Sequence, residues 1–402
     1  MVREPGKASG GRTETCRLRI GFNLLHAVPG IGGVQNYIAN LLAALAAADH
    51  DLAYVAFVTE WSRELVPSAP NFHCRPVNLD SRHRVARVLY ENTILQRMVA
   101  RETVDCLHWF ANVDGIFNAA PAVVSVYDLL PFLSLPGHSL LKRAYLRWRM
   151  RAAARRAAWL LPMSQATADA FRAMLGADLR RCTVIPAVVE DRFKPVAHEE
   201  AAQFRSTHAL PREFWLYVAN LYPLKNHVGL LRAYRKLKDK GVEVWPLVLR
   251  GDPGGAEEEV NAALNELGLR GDVTFLGRLD REDLPRLYAC ASALVFPSLY
   301  EGGGIPLIEA MACGCPVVAS DLVVAREAAG DGAVYFDSSD VGSIAAAMRQ
   351  FQQSPALRER CRSSAFQQVR GHRGAVVAPA LVAAYRNAVE WSRRQGVAAG
   401  ET

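Results

Sequence analysis

Ala293-Leu294-Val295-Phe296-Pro297-Ser298-Leu299-Tyr300-Glu301-Gly302-Gly303-Gly304-Ile305-Pro306-Leu307-Ile308-Glu309 is the stretch from which the rest of the chain is read. Its first four apolar residues read as a short buried strand, and Pro297-Ser298 turns the chain out of it. Pro306 suits the first position of a helix, where its missing N–H costs nothing. Gly314 then closes that helix and Pro316 blocks its continuation, before Val317-Val318-Ala319 starts the next strand. Three consecutive glycines are entropically expensive for a mere connection. What they permit is close approach of a ligand to backbone N–H groups at the positive end of a helix dipole, which makes a phosphate site. Glu301 and Glu309 flank it and accept hydrogen bonds from hydroxyls. Phosphate and hydroxyls side by side point to a nucleotide-linked sugar.

Outward from this unit, strand and helix patterns alternate along the chain. In the first half, strands are expected at 18–23, 53–58, 104–107, 122–126 and 159–162, with helices at 36–47, 93–100 and 140–158 between them. A polar stretch at 191–212, carrying Pro195 and Pro211, reads as a linker. The pattern then restarts, with strands at 214–218, 246–250, 273–275 and 293–296 and helices at 228–238 and 257–267. The last hundred residues or so read as mostly helical. This is an α/β chain of two Rossmann-like, doubly wound parallel sheets, with a cleft between them where ligands meet the carboxyl ends of strands.

The 402 residues are comfortable for two domains. The boundaries expected are a frayed tail at 1–16, a first Rossmann-like domain at 17–195, a second at 205–375 and a final helical segment at 376–402. The tail is polar and lacks the apolar core of a signal peptide. No run approaches the roughly eighteen apolar residues of a membrane span. Eight cysteines are scattered, with only Cys313 and Cys315 close together, so buried free thiols in a reducing cytoplasm are expected and no metal site. The net charge of +7 lies wholly in residues 1–190, where 22 Lys+Arg face 15 Asp+Glu; residues 191–402 hold 25 of each. Within the basic half, 142–156 carries seven cations and no acid. Arg143, Arg147, Arg151 and Arg155 recur at helical spacing beside an apolar stripe of Leu141, Tyr145, Trp148 and Ala152. The segment Lys142 to Arg156 is therefore expected either as a solvated face or resting on an anionic membrane surface. No motif or aromatic platform accompanies it, so nucleic acid is not an expected partner.

Several further residues stand at strand ends facing the cleft. Lys225 follows the strand at 214–218 and is either a counter-charge for a departing diphosphate or a solvated surface lysine. Gly32-Gly33 closes the first strand–loop–helix unit without the spacing of a dinucleotide fingerprint, and reads equally as a tight turn or a ligand contact. Asp128 is a cleft residue or a helix cap. His108, beside aromatics, reads as structural more readily than catalytic.

Residues 296–320 resemble the retaining, nucleotide-sugar-dependent glycosyltransferases of the GT-B fold, of the family 4 type that includes bacterial polysaccharide mannosyltransferases. Supporting matches run from about residue 17 to 337. The resemblance implies that Glu301 holds hydroxyls of the transferred sugar and Glu309 the nucleotide ribose. It also implies that Gly302, Gly303, Gly304, Ile305 and Lys225 hold the diphosphate, that Leu276 and Gly277 lie near the base, and that the last helix crosses back to the first domain. Two departures stand out: Asn220 occupies a position where many members carry arginine, and Tyr127 precedes Asp128 where many carry a histidine that contacts the sugar. Tyr127 and Asp128 are accordingly placed with Glu301 and Lys225 as catalytic, and Gly32, Gly33 and Asn220 with the donor. The expected activity is metal- and cofactor-independent transfer of a sugar, GDP-mannose being the first donor to try, to a glycan or lipid-linked glycan in surface-polysaccharide assembly at the cytoplasmic face of the membrane. A UDP-sugar donor, an epimerase or phosphorylase on the same fold, or a sugar-nucleotide-binding module without catalysis are the alternatives.

Overall fold

The computed structural model describes residues 17–28, 33–133, 140–277 and 279–400, with no side-chain description beyond 395. The expected tail at 1–16 and Gly32 lie outside the described residues. Two six-stranded sheets form, both wholly parallel. The first contains β1 (Arg19–Asn23), β2 (Ala53–Val58), β3 (Phe72–Pro76), β4 (Cys106–Trp109), β5 (Ala122–Val126) and β6 (Trp159–Pro162), in the order β3-β2-β1-β4-β5-β6. The second contains β7 (Trp215–Val218), β8 (Leu247–Arg250), β9 (Val273–Leu276), β10 (Ala293–Phe296), β11 (Val317–Ser320) and β12 (Ala333–Phe336), in the order β12-β11-β10-β7-β8-β9. Parallel strands need crossover helices on both faces, so most are buried on both sides and read as apolar runs. In each sheet the strand order reverses once, between β1 and β4 and between β7 and β10. A crevice opens at such a reversal, at the strands' carboxyl ends.

The stretch at 191–212 is not a bare linker. It contains the helix His198–Thr207, whose Ala201 and Phe204 are buried. That helix packs on the helix Leu284–Cys290 of the second sheet's domain, and Cys290 Sγ donates to Ala201 O at 3.0 Å. Two apolar residues spaced three apart were enough to bury one face of a mostly polar segment. The true crossing lies just upstream, where Val189 N donates to His372 O at 2.9 Å and pairs the two passages of the chain between domains.

After the second crossing, the helix Gly374–Gly400 lies along the helix Gly33–Ala48 of the first domain. Gly374 sits where a β-carbon would come within 2.9 Å of Ala44 Cβ. The helix is pinned by Tyr385, whose hydroxyl lies 2.8 Å from His108 Nδ1, while His108 Nε2 lies 2.8 Å from Ser125 Oγ. His108 is thus a core residue, as its aromatic neighbours imply: Phe110 stacks on it at 3.8 Å between centroids.

Burial pushes His108 down to about 3 and His227 down to about 4, from an ordinary 6.5. Both are neutral when folded, whereas the unfolded chain protonates them below about 6.5 and so binds more protons. Stability therefore falls as pH drops through that window, by about 2 kcal/mol per histidine at about pH 5. The urea midpoint should fall accordingly between about pH 7 and pH 5; an unchanged midpoint would contradict this assignment.

Candidate functional site

The site is assembled at the reversal of the second sheet, from loops leaving two neighbouring strands. After β7, a single turn (Pro223–Lys225) is followed by Asn226 in the left-handed region, φ 57°, which redirects the chain into the helix His227–Asp239. After β10, Leu299 N donates to Leu224 O at 2.9 Å, and Tyr217 donates its hydroxyl to Lys225 O at 2.6 Å. The first bond lashes the two loops together and the second holds the Lys225 loop to its own strand, with Lys225 Nζ 2.5 Å from Glu301 Oε1. The pair is largely sheltered, with side-chain exposures of 24% and 9%.

The helix Ile305–Ala312 begins directly beyond, with Pro306 in its first turn and Gly304 at φ 60° as its cap. A left-handed cap without a side chain leaves the first N–H groups of the helix without a capping bond, at the positive end of its dipole. On its second turn Glu309 is 3% exposed. Its Oε1 accepts from Arg281 Nη2 at 2.8 Å, and its Oε2 accepts from the Tyr288 hydroxyl at 3.2 Å. Burial raises the Glu309 carboxyl above the usual range, and Arg281 opposes that shift.

The first domain meets this loop face to face. A β-carbon on Gly302 would collide with the carbonyl oxygen of Tyr127, and would lie 3.6 Å from Asp128 Cβ. On Gly303 it would collide with the side-chain tip of Met163. Tyr300 ties the halves further, its hydroxyl accepting from Leu129 N at 2.9 Å. Gly33 lies near Ile305, whose Cδ1 would be 3.8 Å from a β-carbon there. At the far end of the contact, Glu327 accepts from the N–H groups of Gln165 and Ala166 at 2.7 and 2.6 Å. The three glycines therefore have three causes. Gly302 admits the other domain's backbone, Gly303 admits Met163, and Gly304 takes a conformation that disfavours a side chain.

Lys225, Glu301, Gly302 to Ile305 and Glu309 thus stand together, with Asp128 and Gly33 opposite. Asp128 Oδ1 accepts from Leu130 N at 3.0 Å and so braces the turn Leu130–Phe132 from one residue before its N-cap, Leu129. Tyr127 does not fit the catalytic place expected for it. Its side chain is 7% exposed and donates to Phe110 O at 2.9 Å, edge-on to Tyr37 in the first domain's core. Only its carbonyl reaches the cleft, because a phenol finds its partner among buried aromatics. Asn220 Oδ1 accepts from Asp252 N at 3.1 Å and braces the loop after β8. Leu276 and Gly277 lie at the end of β9, two strands from Lys225.

Residues that the motif reading passed over include Arg281, Tyr300 and Met163; nothing in their spacing marks them. Basic residues at 142–156 also differ from expectation. In the helix Leu140–Arg156, Arg149 is 1% exposed and paired with Asp114 at 2.9 Å. Arg143 and Arg147 donate to Leu133 O and Pro131 O at 2.8 and 2.7 Å, and Arg151 lies over Phe132. Three of the four evenly spaced arginines thus contact the turn next to Asp128, Arg143 and Arg147 half-buried and Arg151 still exposed. What this helix exposes is Leu140, Leu141, Ala144 and Trp148 together with Arg151, Arg155 and Arg156.

Among the described residues, no group of three His, Cys, Asp or Glu is placed to hold a metal ion, and no helix is long and apolar enough to cross a membrane. An open groove of about 620 Å³, lined by Arg155, Arg181 and Trp391 among others, lies at the opposite ends of β5 and β6 and contains none of the site residues.

Residues 31–193 match the family model Glycosyltransferase Family 4, and residues 199–368 match Glycosyl transferases group 1. The chain is 43% identical over 145 residues to O-antigen chain mannosyltransferase B of Escherichia coli, covering 36% of this chain and 38% of that protein. It is 26% identical over 349 residues to the serotype-specific mannosyltransferase WbdA of Escherichia coli, covering 83% of this chain and 40% of that one. The matches thus span well under half the length of these relatives. In structure, sucrose-phosphate synthase from Thermosynechococcus elongatus superposes with a TM-score of 0.75 at 22% identity, over 92% of this chain and 98% of that one, a likeness of fold.

Proposed function

Because the chain belongs to the family 4 glycosyltransferases of the GT-B fold, we propose that it transfers mannose from GDP-mannose to a hydroxyl of a glycan or lipid-linked glycan, with retention of the anomeric configuration. The observation that carries this reading is the Lys225–Glu301 pair, set beside an uncapped helix N-terminus and facing the other domain. That is one cation and one dipole for a diphosphate, with one carboxylate at hand for sugar hydroxyls. The mannosyltransferases among its relatives support the choice of sugar.

In this reading the diphosphate lies against the amides of Gly303 to Ile305, with Lys225 as counter-charge, while Glu301 accepts from sugar hydroxyls and Glu309 from the ribose. Leu276 and Gly277 border the base. Asp128 shapes the opposite wall through its turn, and Tyr127 contributes only its carbonyl. The bond from the anomeric carbon to the diphosphate oxygen breaks as the acceptor oxygen bonds to that carbon from the same face. The acceptor's proton passes to the departing diphosphate oxygen, so no protein nucleophile is needed. Fixed positive charge at the leaving group supplies the stabilisation, and contact between domains keeps out competing water. Lys225 and the helix end take the part that a divalent cation would otherwise play. Exposed Leu140, Leu141 and Trp148, on a helix bearing Lys142 and Arg155, give the first domain a face suited to the anionic membrane that carries a lipid-linked acceptor.

The test is transfer from a panel of GDP- and UDP-sugars. Faster turnover of GDP-mannose than of UDP-sugars, full activity in excess chelator, and a gain with anionic over neutral vesicles are expected. A UDP-sugar preference would replace the donor, a strict metal requirement would sink the metal-free account, and absence of both transfer and donor hydrolysis would leave a binding module.

A further inference from the structure

Arg281 reaches by hydrogen bonds from the ribose carboxylate to the crossing between domains. It sits in the turn Arg281–Asp283, after β9, on no motif. Its Nη2 donates to Glu309 Oε1 at 2.8 Å and its Nε to Glu190 Oε1 at 2.7 Å. Its guanidinium lies over the Phe193 ring at 5.3 Å, which fixes the plane of the fork. Glu190 adjoins the pairing of Val189 with His372, and Arg373 Nη1 donates to Glu190 O at 3.2 Å. One guanidinium thus bridges a buried carboxylate of the second domain and a carboxylate on the chain that leaves the first.

We propose that Arg281 is a positioning residue for nucleotide binding: it aims the Glu309 carboxylate, holds it in its anionic form, and ties it to Glu190 at the interdomain crossing. The inference rests on the assignment of Glu309 to the ribose. A ribose diol offers two O–H donors and needs a carboxylate with open lone pairs. Arg281 and Tyr288 together occupy about two of the roughly four acceptor sites of an ionised carboxylate. Two remain for the diol, and a protonated carboxyl would serve it poorly.

The charges around Glu309 decide its state. Burial favours the neutral carboxyl, the Arg281 cation opposes it, and the Glu190 anion beyond Arg281 adds to it. Tyr288, on the helix Leu284–Cys290, is held well above its ordinary value by burial, and so is Cys313 at the end of the Glu309 helix. Neither titrates in the relevant range. Arg373 faces Cys313 from the second crossing, and Arg192 pairs with Glu190 at 2.7 Å from the crossing itself.

Nucleotide binding therefore weakens as pH falls through the value at which Glu309 protonates. Two substitutions move that point in opposite directions. Arg281→Gln keeps a donor but removes the cation, so binding is lost at higher pH. Glu190→Gln keeps an acceptor for Arg281 but removes the like charge, so binding persists to lower pH.

The measurement is calorimetric affinity for GDP across about pH 5.5 to 8.5, with Arg281→Lys and Glu309→Ala alongside. The affinity ratio to wild type removes titration of the nucleotide's own phosphate. Arg281→Gln is expected to bind roughly tenfold more weakly than wild type near pH 6 and to recover toward it near pH 8. Arg281→Lys, which restores the charge but not the fork, should keep the wild-type pH profile at reduced affinity, and Glu190→Gln should exceed wild type at low pH. A deficit in Arg281→Gln that is the same at every pH, or a Glu190→Gln shift in the same direction as Arg281→Gln, overturns the inference. Should Arg281→Gln fail to fold, the direction of the Glu190→Gln shift decides alone. If Glu309→Ala binds GDP as wild type does, the ribose assignment itself falls. If Glu309→Ala loses affinity while the other variants keep the wild-type profile, that assignment stands and only the role of Arg281 is lost.

Discussion

Lys225→Ala is expected to lower kcat for transfer by roughly 10²–10³-fold, the cost of removing one fixed donor from a site where negative charge develops. Two effects are folded into that number and they separate cleanly. The first is chemical: the departing diphosphate keeps the electron pair of the broken bond and gains a unit of negative charge near the Lys225 ammonium, and the helix N-terminus supplies only about half a unit charge. The second is structural: Glu301, whose side chain is 9% exposed, loses its ion-pair partner, and an unpaired sheltered carboxylate destabilises the fold by ~1–3 kcal/mol. Adding Glu301→Gln to Lys225→Ala removes the orphaned charge. The double variant should therefore recover thermal stability and recover no rate. Lys225→Arg keeps the charge but swaps a compact ammonium for a planar fork, so it should restore only part of kcat. Melting temperatures and single-turnover rates on the three variants check this. A double variant with wild-type kcat would show that Lys225 serves the fold and not the leaving group.

What the sequence disclosed follows what burial imposes on it. Strands covered on both faces, such as β2, β6 and β10, read as unbroken apolar runs, β5 is broken only by Ser125, and the expected bounds of all four coincide with the observed ones. The strands passed over are β3 and β12, both at sheet edges. An edge strand needs less apolar surface, and β3 carries His73, Arg75 and Pro76 that a central strand would exclude. The helix Gln165–Leu175 was also passed over, although Ser164 caps its start and Gly176, at φ 69°, ends it. Its signals are local caps, whereas a periodicity reading weighs only the apolar face.

The same division runs through the candidate site. Lys225, Glu301 and the glycine loop were legible because adjacent loops at a strand-order reversal must converge. Arg281 was not, because its partners lie 28 residues downstream at Glu309 and 91 upstream at Glu190. Tyr127 was misplaced for a related reason: a strand end locates a backbone, and the side chain's direction depends on Phe110 and Tyr37, which no local pattern reveals.

Gly302→Ala should separate binding from transfer more sharply than any change to a charged residue. The collision it creates is with the carbonyl of Tyr127, whose carbonyl carbon would lie only 3.2 Å from the new methyl. Backbone on backbone has no flexible tip that could swing aside, so the two domains must part. A displacement of about 1 Å between reacting groups costs about 10²-fold in rate, which is the loss expected in kcat/KM for transfer. GDP affinity should stay within about threefold of wild type, since Glu309, Arg281 and the helix end all belong to the second domain and are not displaced by the parting. Water enters the parted cleft, so the ratio of donor hydrolysis to transfer should rise even as total turnover falls. Gly303→Ala provides the contrast. Its methyl meets the side-chain tip of Met163, an unbranched chain with several rotatable bonds, so a loss below about tenfold is expected. If the glycines serve only to bring amides to the phosphates, the two substitutions should be equivalent and both should weaken GDP binding. A loss of transfer at Gly302 with GDP binding intact, and a mild effect at Gly303, would instead mean that Gly302 is glycine because catalysis needs the two domains in contact there.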